Sequence, residues 1–290
     1  MGTISAITDE KAAPMDSPVT TACFAFLRWA LPRLGLAWPG FRRVHRQTCK
    51  RIRRRLRTHG LADFAAYQAF LEDHPAEWAI LDSLCRISIS HFYRDAQVFT
   101  ALGQEVLPRL AGDAVVGSRS EIRCWSAGCA SGEEPYSLAM LWHFRLAPQF
   151  ARLSLEILAT DIDSHLLERA ARACYRRGSL RELPREWIDA AFDREGDLFR
   201  LKPEWRARVS FRKHDVKEVP PSGPFDLILC RNLAFTYFDA EHQGAVLRRL
   251  LGALRPGGGL VIGRAEALPT EVADVAPWLP DMGVYRKGET

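Results

Sequence analysis

Apolar residues recur every three or four positions through the first third of the chain, from Thr20 to Phe92. This spacing is the period of an amphipathic α-helix. Phe24 and Leu27 lie on one such apolar face, and Asp63 stands where the N-cap of a later helix is expected. The pattern predicts a small helical bundle.

Past residue 120 the pattern changes to short apolar runs that alternate with segments of helix length. The apolar runs predict strands at residues 122–126, 153–160, 209–212, 225–230 and 260–262. Helical patterns lie between them at residues 135–144, 164–174 and 240–254. Strands that alternate with helices are typical of βαβ units, in which helices cover both faces of a mostly parallel sheet. The predicted fold class is therefore α/β.

The stretch from residue 175 to residue 208 interrupts this alternation. It contains Pro184 and Pro203, and it is longer than a simple connection between two elements. We interpret it as a small subdomain inserted beside the sheet. The predicted organisation is a disordered lead (1–18), a helical N-terminal domain with a basic helix (19–95) and an α/β domain (96–290) that holds the insertion at 175–208.

The composition of the 290 residues, 47% hydrophobic and 26% charged, is that of an ordinary soluble globular protein. No apolar run approaches the roughly 20 residues of a membrane helix, so membrane insertion is not expected. The first 18 residues lack the basic start and apolar core of a signal peptide. The seven cysteines are scattered without a CxxC pair, which argues against a disulfide framework and a metal site and favours the reducing cytoplasm.

The net charge of +5 is unevenly distributed along the chain. Residues 42–57, from Arg42 to Arg57, include nine Arg or Lys and no acid, and subtracting these nine leaves about −4 for the rest. A local concentration of charge indicates a partner rather than a fold. The same stretch has no Tyr or Trp that could stack on a base, which disfavours nucleic acid as the partner.

Residues 123–136 predict a strand, a turn of small residues and a helix that starts near Glu134. Gly128 and Gly132 allow the backbone of such a turn to approach a ligand closely. Glu133 and Glu134 would repel a pyrophosphate, but they suit a cationic ligand such as the sulfonium and ammonium groups of S-adenosylmethionine. The alternative interpretation is a tight turn whose two acids complement the helix dipole.

Polar side chains follow three further predicted strands. Asp161 stands where a carboxylate accepts hydrogen bonds from ribose hydroxyls, and its distance from Gly128 exceeds the roughly 20 residues usual in nicotinamide-binding folds. Asp163 is also explained as an N-cap. Asp215 is explained either as an acceptor for an adenine amino group or as an ordinary turn acid. Asn232 follows the carboxyl end of the fourth strand, where α/β active sites lie.

Taken together, these segments resemble the CheR family, the chemotaxis-receptor protein-glutamate methyltransferases. The likeness extends from about Leu34 to Arg286. It rests on Ser90–Asp95, Trp125–Gly128, Gly132–Ser137, Ala159–Asp163, Phe225–Asn232 and Tyr237–Asp239.

The resemblance implies a class I, Rossmann-like methyltransferase sheet, an N-terminal helical domain and a small β-subdomain that fits residues 175–208. It implies S-adenosylmethionine as the cofactor, with S-adenosylhomocysteine as its product. Together with Gly128 of the turn, the cofactor-binding positions are Ser88, Ser90, Arg94, Ala127, Glu133, Asp161, Asp215 and Asn232. The active-site arginine and tyrosine of the family fall on Arg94 and Tyr237, and the basic helix at 42–57 matches the one thought to contact an acidic receptor bundle.

The chain departs from the family pattern at three places. Four residues separate Asn232 from Tyr237, where the family has three. Gly-Arg-Ala-Glu at 263–266 replaces Gly-His-Ser-Glu, and Ser88 replaces an asparagine. These changes lie near the substrate side of the pocket, so they bear on the methyl acceptor more than on the cofactor.

A glutamate acceptor is already ionised at neutral pH, with a reference pKa of about 4.3, so methyl transfer to it requires no general base. Our hypothesis is that Arg94 orients the acceptor carboxylate or Glu133 and that Tyr237 donates a hydrogen bond to the acceptor. The alternative for Arg94 is a structural ion pair with Asp95 or Glu133.

Three functions remain open from the sequence. The first is O-methylation of glutamates in a chemoreceptor-like signalling protein by a cytoplasmic monomer. The second is a divergent methyltransferase for a small molecule or another protein, favoured by the changes at 263–266 and before Tyr237. The third is a noncatalytic module that senses the cofactor or binds nucleic acid through the arginine-rich helix.

Overall fold

The computed structural model describes residues 18–269 and 274–289, so the predicted disordered lead lies outside the described residues except for Pro18. The chain divides between Arg86 and Ile87 into two compact units. Within the described ranges, no helix is both long and apolar enough to cross a membrane.

The first unit is the helical bundle that the apolar spacing predicts. Its helices are α1 (Pro18–Arg33), α2 (Trp38–Phe41), α3 (His45–Thr58), α4 (Phe64–Asp73) and α5 (Glu77–Cys85). Their apolar faces form a core that includes Leu27, Ile52 and Leu81. Asp63 is the N-cap of α4, because its Oδ1 accepts a hydrogen bond from the amide of Ala66 at 2.8 Å.

A disulfide joins Cys23 on α1 to Cys49 on α3. The expectation that the cysteines are scattered thiols was wrong for this pair. The two residues are 26 positions apart, and only the packing of α1 on α3 brings them together. The other five cysteines are free thiols.

A buried carboxylate connects three helices of this unit. Glu77 on α5, with 6% of its side chain exposed, accepts hydrogen bonds from Arg55 on α3 at 2.7 and 2.8 Å. The hydroxyl of Tyr67 on α4 donates to the same carboxylate at 2.8 Å. The hydrogen bonds from Arg55 hold the pKa of Glu77 below its usual range.

We expect Glu77→Ala to lower the free energy of unfolding of the first unit by roughly 2–3 kcal/mol, because it leaves Arg55 and Tyr67 without their partner. The depressed pKa means that this contribution is present above the unfolded pKa of about 4.3 and is lost as the pH falls through the lower folded value. Urea unfolding, with hydrogen exchange of the amides of α3 to α5, measures the effect. Glu72→Ala, at an exposed acid of α4, is the control, and equal effects of the two variants would contradict the prediction.

The second unit begins with helices α6 (Ala96–Ala101) and α7 (Leu107–Val116), which a π-helical turn connects. Its strands are β1 (Glu121–Ala127), β2 (Ser154–Asp161), β3 (Cys174–Arg176), β4 (Phe192–Glu195), β5 (Leu198–Leu201), β6 (Val209–Lys213), β7 (Phe225–Leu229), β8 (Leu254–Val261), β9 (Val275–Leu279) and β10 (Val284–Lys287). Its remaining helices are α8 (Glu133–Leu141), α9 (Ser164–Arg172), α10 (Arg185–Ala191), α11 (Pro203–Arg206), α12 (Ala234–Tyr237) and α13 (Ala240–Ala253).

Seven strands form the main sheet in the order β6-β2-β1-β7-β8-β10-β9. The five strands from β6 to β8 are parallel, and β10 and β9 add to the β8 edge as antiparallel strands. The five predicted strands are these parallel ones, which confirms the α/β class. β8 starts at Leu254 rather than at residue 260, because the segment Arg255–Gly259 continues the strand instead of forming only a turn.

A separate three-stranded antiparallel sheet, in the order β3-β5-β4, occupies much of the stretch that interrupts the alternation. Two hydrogen bonds connect this inserted stretch to other segments of the second unit. The amide of Phe92 donates to the carbonyl of Ser179 at 2.8 Å. The hydroxyl of Tyr175 donates to the carbonyl of Ser131, in the turn after β1, at 2.7 Å.

The connections of the main sheet place one crevice at its carboxyl edge. The chain passes from β1 to β2 on one side and returns to β7 on the other side of β1. In open α/β sheets, ligands bind outside the carboxyl ends of the strands at the point where the strand order reverses. The segments that follow β1, β2, β6 and β7 therefore meet at this edge.

Candidate cofactor and active site

Hydrogen bonds hold the turn after β1 against the end of β2. The amides of Gly128 and Cys129 both donate to the carbonyl of Thr160, at 2.8 and 2.9 Å. Gly128 has φ +79°, and a Cβ at this position would lie 2.4 Å from a side-chain carbon of Leu233. Gly128 is thus required both by its backbone conformation and by the close approach of the segment after β7.

Asp161, the predicted ribose acceptor, also organises this turn. Its Oδ2 accepts from the amide of Ala130 at 2.9 Å, and its Oδ1 accepts from the amide of Asp163 at 2.9 Å. Each carboxylate oxygen can accept more than one hydrogen bond, so these amides are compatible with additional ribose hydroxyls. Asp163 is the N-cap of α9, since its Oδ1 accepts from the amide of His165 at 2.9 Å.

Glu133 begins helix α8 as a carboxylate with only 3% of its surface exposed. The hydroxyl of Ser131 lies 3.0 Å from both of its oxygens, and Ser90 is near enough to lower the pKa of this carboxyl slightly. Burial raises the pKa of Glu133, and Arg169 opposes that effect more weakly. The structure therefore holds an acidic group in a desolvated place among hydroxyls, where a cationic ligand group would stabilise its charged form.

Glu134 does not share this role, although the two acids were expected to act together on a cation. Its carboxylate accepts from the hydroxyl of Ser126 at 2.8 Å and forms an ion pair with Arg231 at 3.3 Å. Glu134 faces the sheet, whereas its neighbour Glu133 contacts the serines of the turn and of the segment before α6. Adjacent residues on a helix point in directions about 100° apart, which separates the two functions.

Arg231, with 2% of its side chain exposed, connects three segments of the site. Its Nη2 donates to the carboxylate of Asp95 at 2.6 Å and to the carbonyl of Arg94 at 2.9 Å. Its Nη1 pairs with Glu134, and its guanidinium lies over the ring of Phe99. Sequence reasoning included Arg231 in a motif without assigning it a role, because its partners lie 97 and 136 positions away.

The predicted catalytic residues, Arg94 and Tyr237, lie close enough to interact electrostatically. The guanidinium of Arg94 lowers the pKa of the Tyr237 phenol, but burial acts more strongly and raises this pKa above its usual value. Nη1 of Arg94 donates to the carbonyl of Ile89 at 2.8 Å. The structural ion pair of Asp95 is formed with Arg231 rather than with Arg94.

The other predicted positions belong to the same crevice edge or to the segment before α6. Ala127 is the last residue of β1, and Ser88 and Ser90 are half-buried in the segment that carries Arg94. Asp215 follows β6, and its Oδ1 accepts from the amide of Lys217 at 2.9 Å, as a turn acid does. Asn232 follows β7 in a left-handed conformation with φ +54°.

Glu266 and Thr236 are further contributors to the site that were not identified from the sequence. Glu266 accepts hydrogen bonds from the amides of Asn232 and Gly263 and from the hydroxyl of Thr236. Glu266 and Thr236 were noted only as members of segments that depart from the family pattern. Their spacing of 30 residues carries no local signal.

The residues at this edge fit S-adenosylmethionine. In the part of the chain that the structure describes, Nε2 of His214 is buried and has no hydrogen-bond partner, and its ring lies 5.9 Å from the ring of Trp125. A buried ring nitrogen beside Asp215 suits the polar edge of an adenine. Asp161 suits ribose hydroxyls, and the buried Glu133 suits a cation.

Comparisons with known proteins agree with this arrangement. A family model described as "CheR methyltransferase, SAM binding domain" matches residues 88–279, and one described as "CheR methyltransferase, all-alpha domain" matches residues 48–82.

Three relatives are similar over much of the chain. A chemotaxis protein methyltransferase of Listeria monocytogenes is 38% identical over 186 residues, covering 64% of this chain and 68% of the relative. That of Escherichia coli K12 is 35% identical over 225 residues, covering 74% of each. An uncharacterized 104.1 kDa protein of Rhodobacter capsulatus is 35% identical over 219 residues, which are 76% of this chain but 23% of that protein.

Proposed function

Since the chain belongs to the CheR methyltransferase family and is an S-adenosylmethionine-dependent methyltransferase, we propose that it methylates glutamate carboxylates of a chemoreceptor-like signalling protein. The observation that carries this proposal is the proximity of the Arg94 guanidinium to the half-buried phenol of Tyr237, whose pKa it lowers. A guanidinium and a protonated phenol together form a site for an anion, because both groups donate hydrogen bonds.

The chemistry of a carboxylate acceptor matches this pair. The carboxylate would form a C–O bond to the methyl group that the bound cofactor supplies, while the S–C bond breaks and its electron pair returns to sulfur. The acceptor is already ionised at neutral pH, so the protein must align it and exclude water rather than remove a proton. Arg94 would orient the carboxylate, and Tyr237 would donate a hydrogen bond to it from a phenol that is protonated at neutral pH and whose pKa burial raises further.

On the cofactor side, the protein would hold the adenosyl and methionine groups with the buried Glu133 and the half-buried Asp161 and Asp215. Glu133 would bind the positively charged end, Asp161 the ribose hydroxyls, and Asp215 together with His214 the adenine edge. The bound cofactor supplies the electrophilic methyl group. The hydrogen bonds of Asp161 to the amides of the turn keep this carboxylate in place before the ligand arrives.

Transfer of radiolabelled methyl groups into receptor fragments, followed by mild alkali, tests the proposal. We expect label on the protein that alkali releases, because a carboxyl methyl ester is hydrolysed easily. Label that survives alkali, or no label on any acidic receptor fragment, would contradict the proposal. Label on a different acceptor would favour the second candidate, a divergent methyltransferase. The observation that supports this candidate is Arg264, which stands in place of the family's histidine and donates a hydrogen bond to Gln97 at 2.8 Å.

Helix α3 provides the surface for an acidic partner in this proposal. Arg51 and Arg55 are used inside the first unit, where Arg51 donates to carbonyls at the end of α5 and Arg55 pairs with Glu77. The basic stripe on the exposed face consists of Arg46, Lys50, Arg54 and Arg57. Their spacing of four, four and three positions places them on one side of the helix. We propose that a monomer in the cytoplasm presents this basic stripe to the acidic receptor bundle.

We expect the double variant Lys50→Glu, Arg54→Glu to weaken binding of an acidic receptor fragment by about tenfold or more, since it reverses two charges at the centre of the basic stripe. Calorimetry at two salt concentrations measures the loss, which should shrink as salt screens the charges. The affinity for S-adenosylhomocysteine should not change.

The matched control reverses two exposed arginines of the second unit, Arg172→Glu and Arg185→Glu. This control variant should bind the receptor fragment as the wild type does. Equal losses in the two double variants would show that net charge, rather than the basic stripe, determines binding.

A further inference from the structure

The carboxylate of Glu266 joins three segments that the chain brings to the acceptor side of the crevice. Its Oε2 accepts from the amide of Asn232 at 2.9 Å and from the amide of Gly263. Its Oε1 accepts from the hydroxyl of Thr236. One side chain beyond β8 therefore fixes both Asn232, in the segment after β7, and the short helix α12.

The packing around Gly263 shows how closely these groups approach one another. A Cβ on Gly263 would lie 2.5 Å from Nδ2 of Asn232 and 2.7 Å from Oε2 of Glu266. Any larger residue at this position would have to displace the amide of Asn232 or the carboxylate of Glu266 from where they now lie. Asn232 also adopts φ +54°, a conformation that asparagine tolerates better than most residues and that the bond from its amide to Glu266 stabilises.

Thr236 lies within the segment that is one residue longer than the family pattern between Asn232 and Tyr237. The structure accommodates this length as one helical turn, in which the amide of Tyr237 donates to the carbonyl of Leu233 at 3.0 Å. A single turn has few internal hydrogen bonds and is weak in isolation. The hydroxyl of Thr236 anchors this turn to Glu266, one residue before the phenol.

We propose that Glu266 is a positioning residue that acts through Thr236 on Tyr237 and through the Asn232 amide on the cofactor side of the site. In this role Glu266 acts through its hydrogen bonds to Asn232, Gly263 and Thr236 and need not touch the acceptor or the cofactor. Its role in catalysis rests on the proposed function, whereas its role in cofactor binding does not require the acceptor to be known.

Three single variants separate the two effects. Thr236→Val keeps the volume and removes only the anchor of Tyr237, so we expect methyl transfer to slow by about tenfold with unchanged affinity for S-adenosylhomocysteine. Glu266→Ala should reduce both quantities. Glu266→Gln should restore both, because its amide oxygen can accept from the two backbone amides while its NH₂ group donates to the Thr236 hydroxyl.

The double variant Thr236→Val, Tyr237→Phe shows whether threonine acts through the phenol. If it does, Thr236→Val should cause little further loss in the Tyr237→Phe background. An equal loss in both backgrounds would overturn the proposal, as would a Glu266→Ala enzyme with wild-type turnover and wild-type affinity for S-adenosylhomocysteine.

The calorimetric comparison distinguishes failure of this inference from failure of the proposed function. If the wild type methylates no receptor fragment, the proposed function fails. In that case weak S-adenosylhomocysteine binding by Glu266→Ala and normal binding by Glu266→Gln would still support Glu266 as the residue that positions Asn232. Equal binding by the two variants would overturn it.

Discussion

Replacing Arg231 by methionine is expected to destabilise the second unit by about 3–5 kcal/mol, because the substitution leaves Asp95 and Glu134 as charges without a partner near the sheet. Arg231 is almost completely buried and forms ion pairs with both acids at 2.6 and 3.3 Å. It also donates to the backbone carbonyl of Arg94, so the segment that carries Arg94 should loosen at the same time. Urea unfolding and hydrogen exchange of the amides at 88–96 measure these effects.

The pH dependence of the loss identifies its cause. Burial raises the pKa of Glu134, and Arg231 acts against that rise. Without Arg231 the folded-state pKa should rise further, so the folded protein binds a proton that the unfolded chain releases. The deficit of the variant should therefore be largest at neutral and alkaline pH and should shrink as the pH falls through that raised value.

Two further variants control the experiment. Arg172→Met removes an exposed ion pair with Glu168 and should change the free energy of unfolding by less than about 1 kcal/mol. The triple variant Arg231→Met, Asp95→Asn, Glu134→Gln should recover part of the loss, because it removes the unpaired charges. If Arg231→Met were no more destabilising than Arg172→Met, the connecting role of Arg231 would be wrong.

The second large effect is expected at Glu133. Replacing it by glutamine should weaken the binding of S-adenosylmethionine by at least about 2 kcal/mol, or roughly 30-fold in Kd, since it removes the buried negative charge that we propose to bind the cationic end of this ligand. Isothermal titration calorimetry measures this change. Glu121→Gln, at the exposed start of β1, should bind as the wild type does.

The affinity of the wild type should also depend on pH with a definite sign. Burial raises the pKa of Glu133 in the free protein, and a bound cation favours the ionised carboxylate. Binding should therefore be strongest above the raised pKa of Glu133 and should weaken as the pH falls through that value. Below that pKa, binding of the cofactor should release the proton from Glu133. The Glu133→Gln variant should lack this dependence, and a glutamine variant with wild-type affinity would contradict the assignment.

The parallel core of the sheet could be predicted because its inner strands β1, β7 and β8 are largely buried apolar runs, and shorter apolar runs mark β2 and the edge strand β6. Strands β9 and β10 could not, since they lie near Pro280 and Gly283 and resemble a broken coil in the sequence. The Cys23–Cys49 disulfide was also missed, because cysteine spacing does not reveal which helices pack together.

In the candidate site as well, features that depend on neighbouring residues could be predicted, whereas contacts between residues far apart in the sequence could not. Asp161, Asp215 and Asn232 could be located because each follows a strand, and strand ends of a parallel sheet share one edge. The different environments of Glu133 and Glu134 could not be predicted, because they depend on Arg231, which is about a hundred positions away. The contacts of Glu266 require the same kind of long-range information.

The two hydrogen bonds that tie the small three-stranded sheet to its neighbours limit how far the enzyme could be shortened. Tyr175 supports the turn that carries Ser131, and Ser179 holds the strip of backbone before Arg94 through Phe92. A shortened enzyme without this insertion would lose both hydrogen bonds, one to the turn after β1 and one to the segment before Arg94. Such trimming should raise the Kd for S-adenosylmethionine even if the remaining layers still fold.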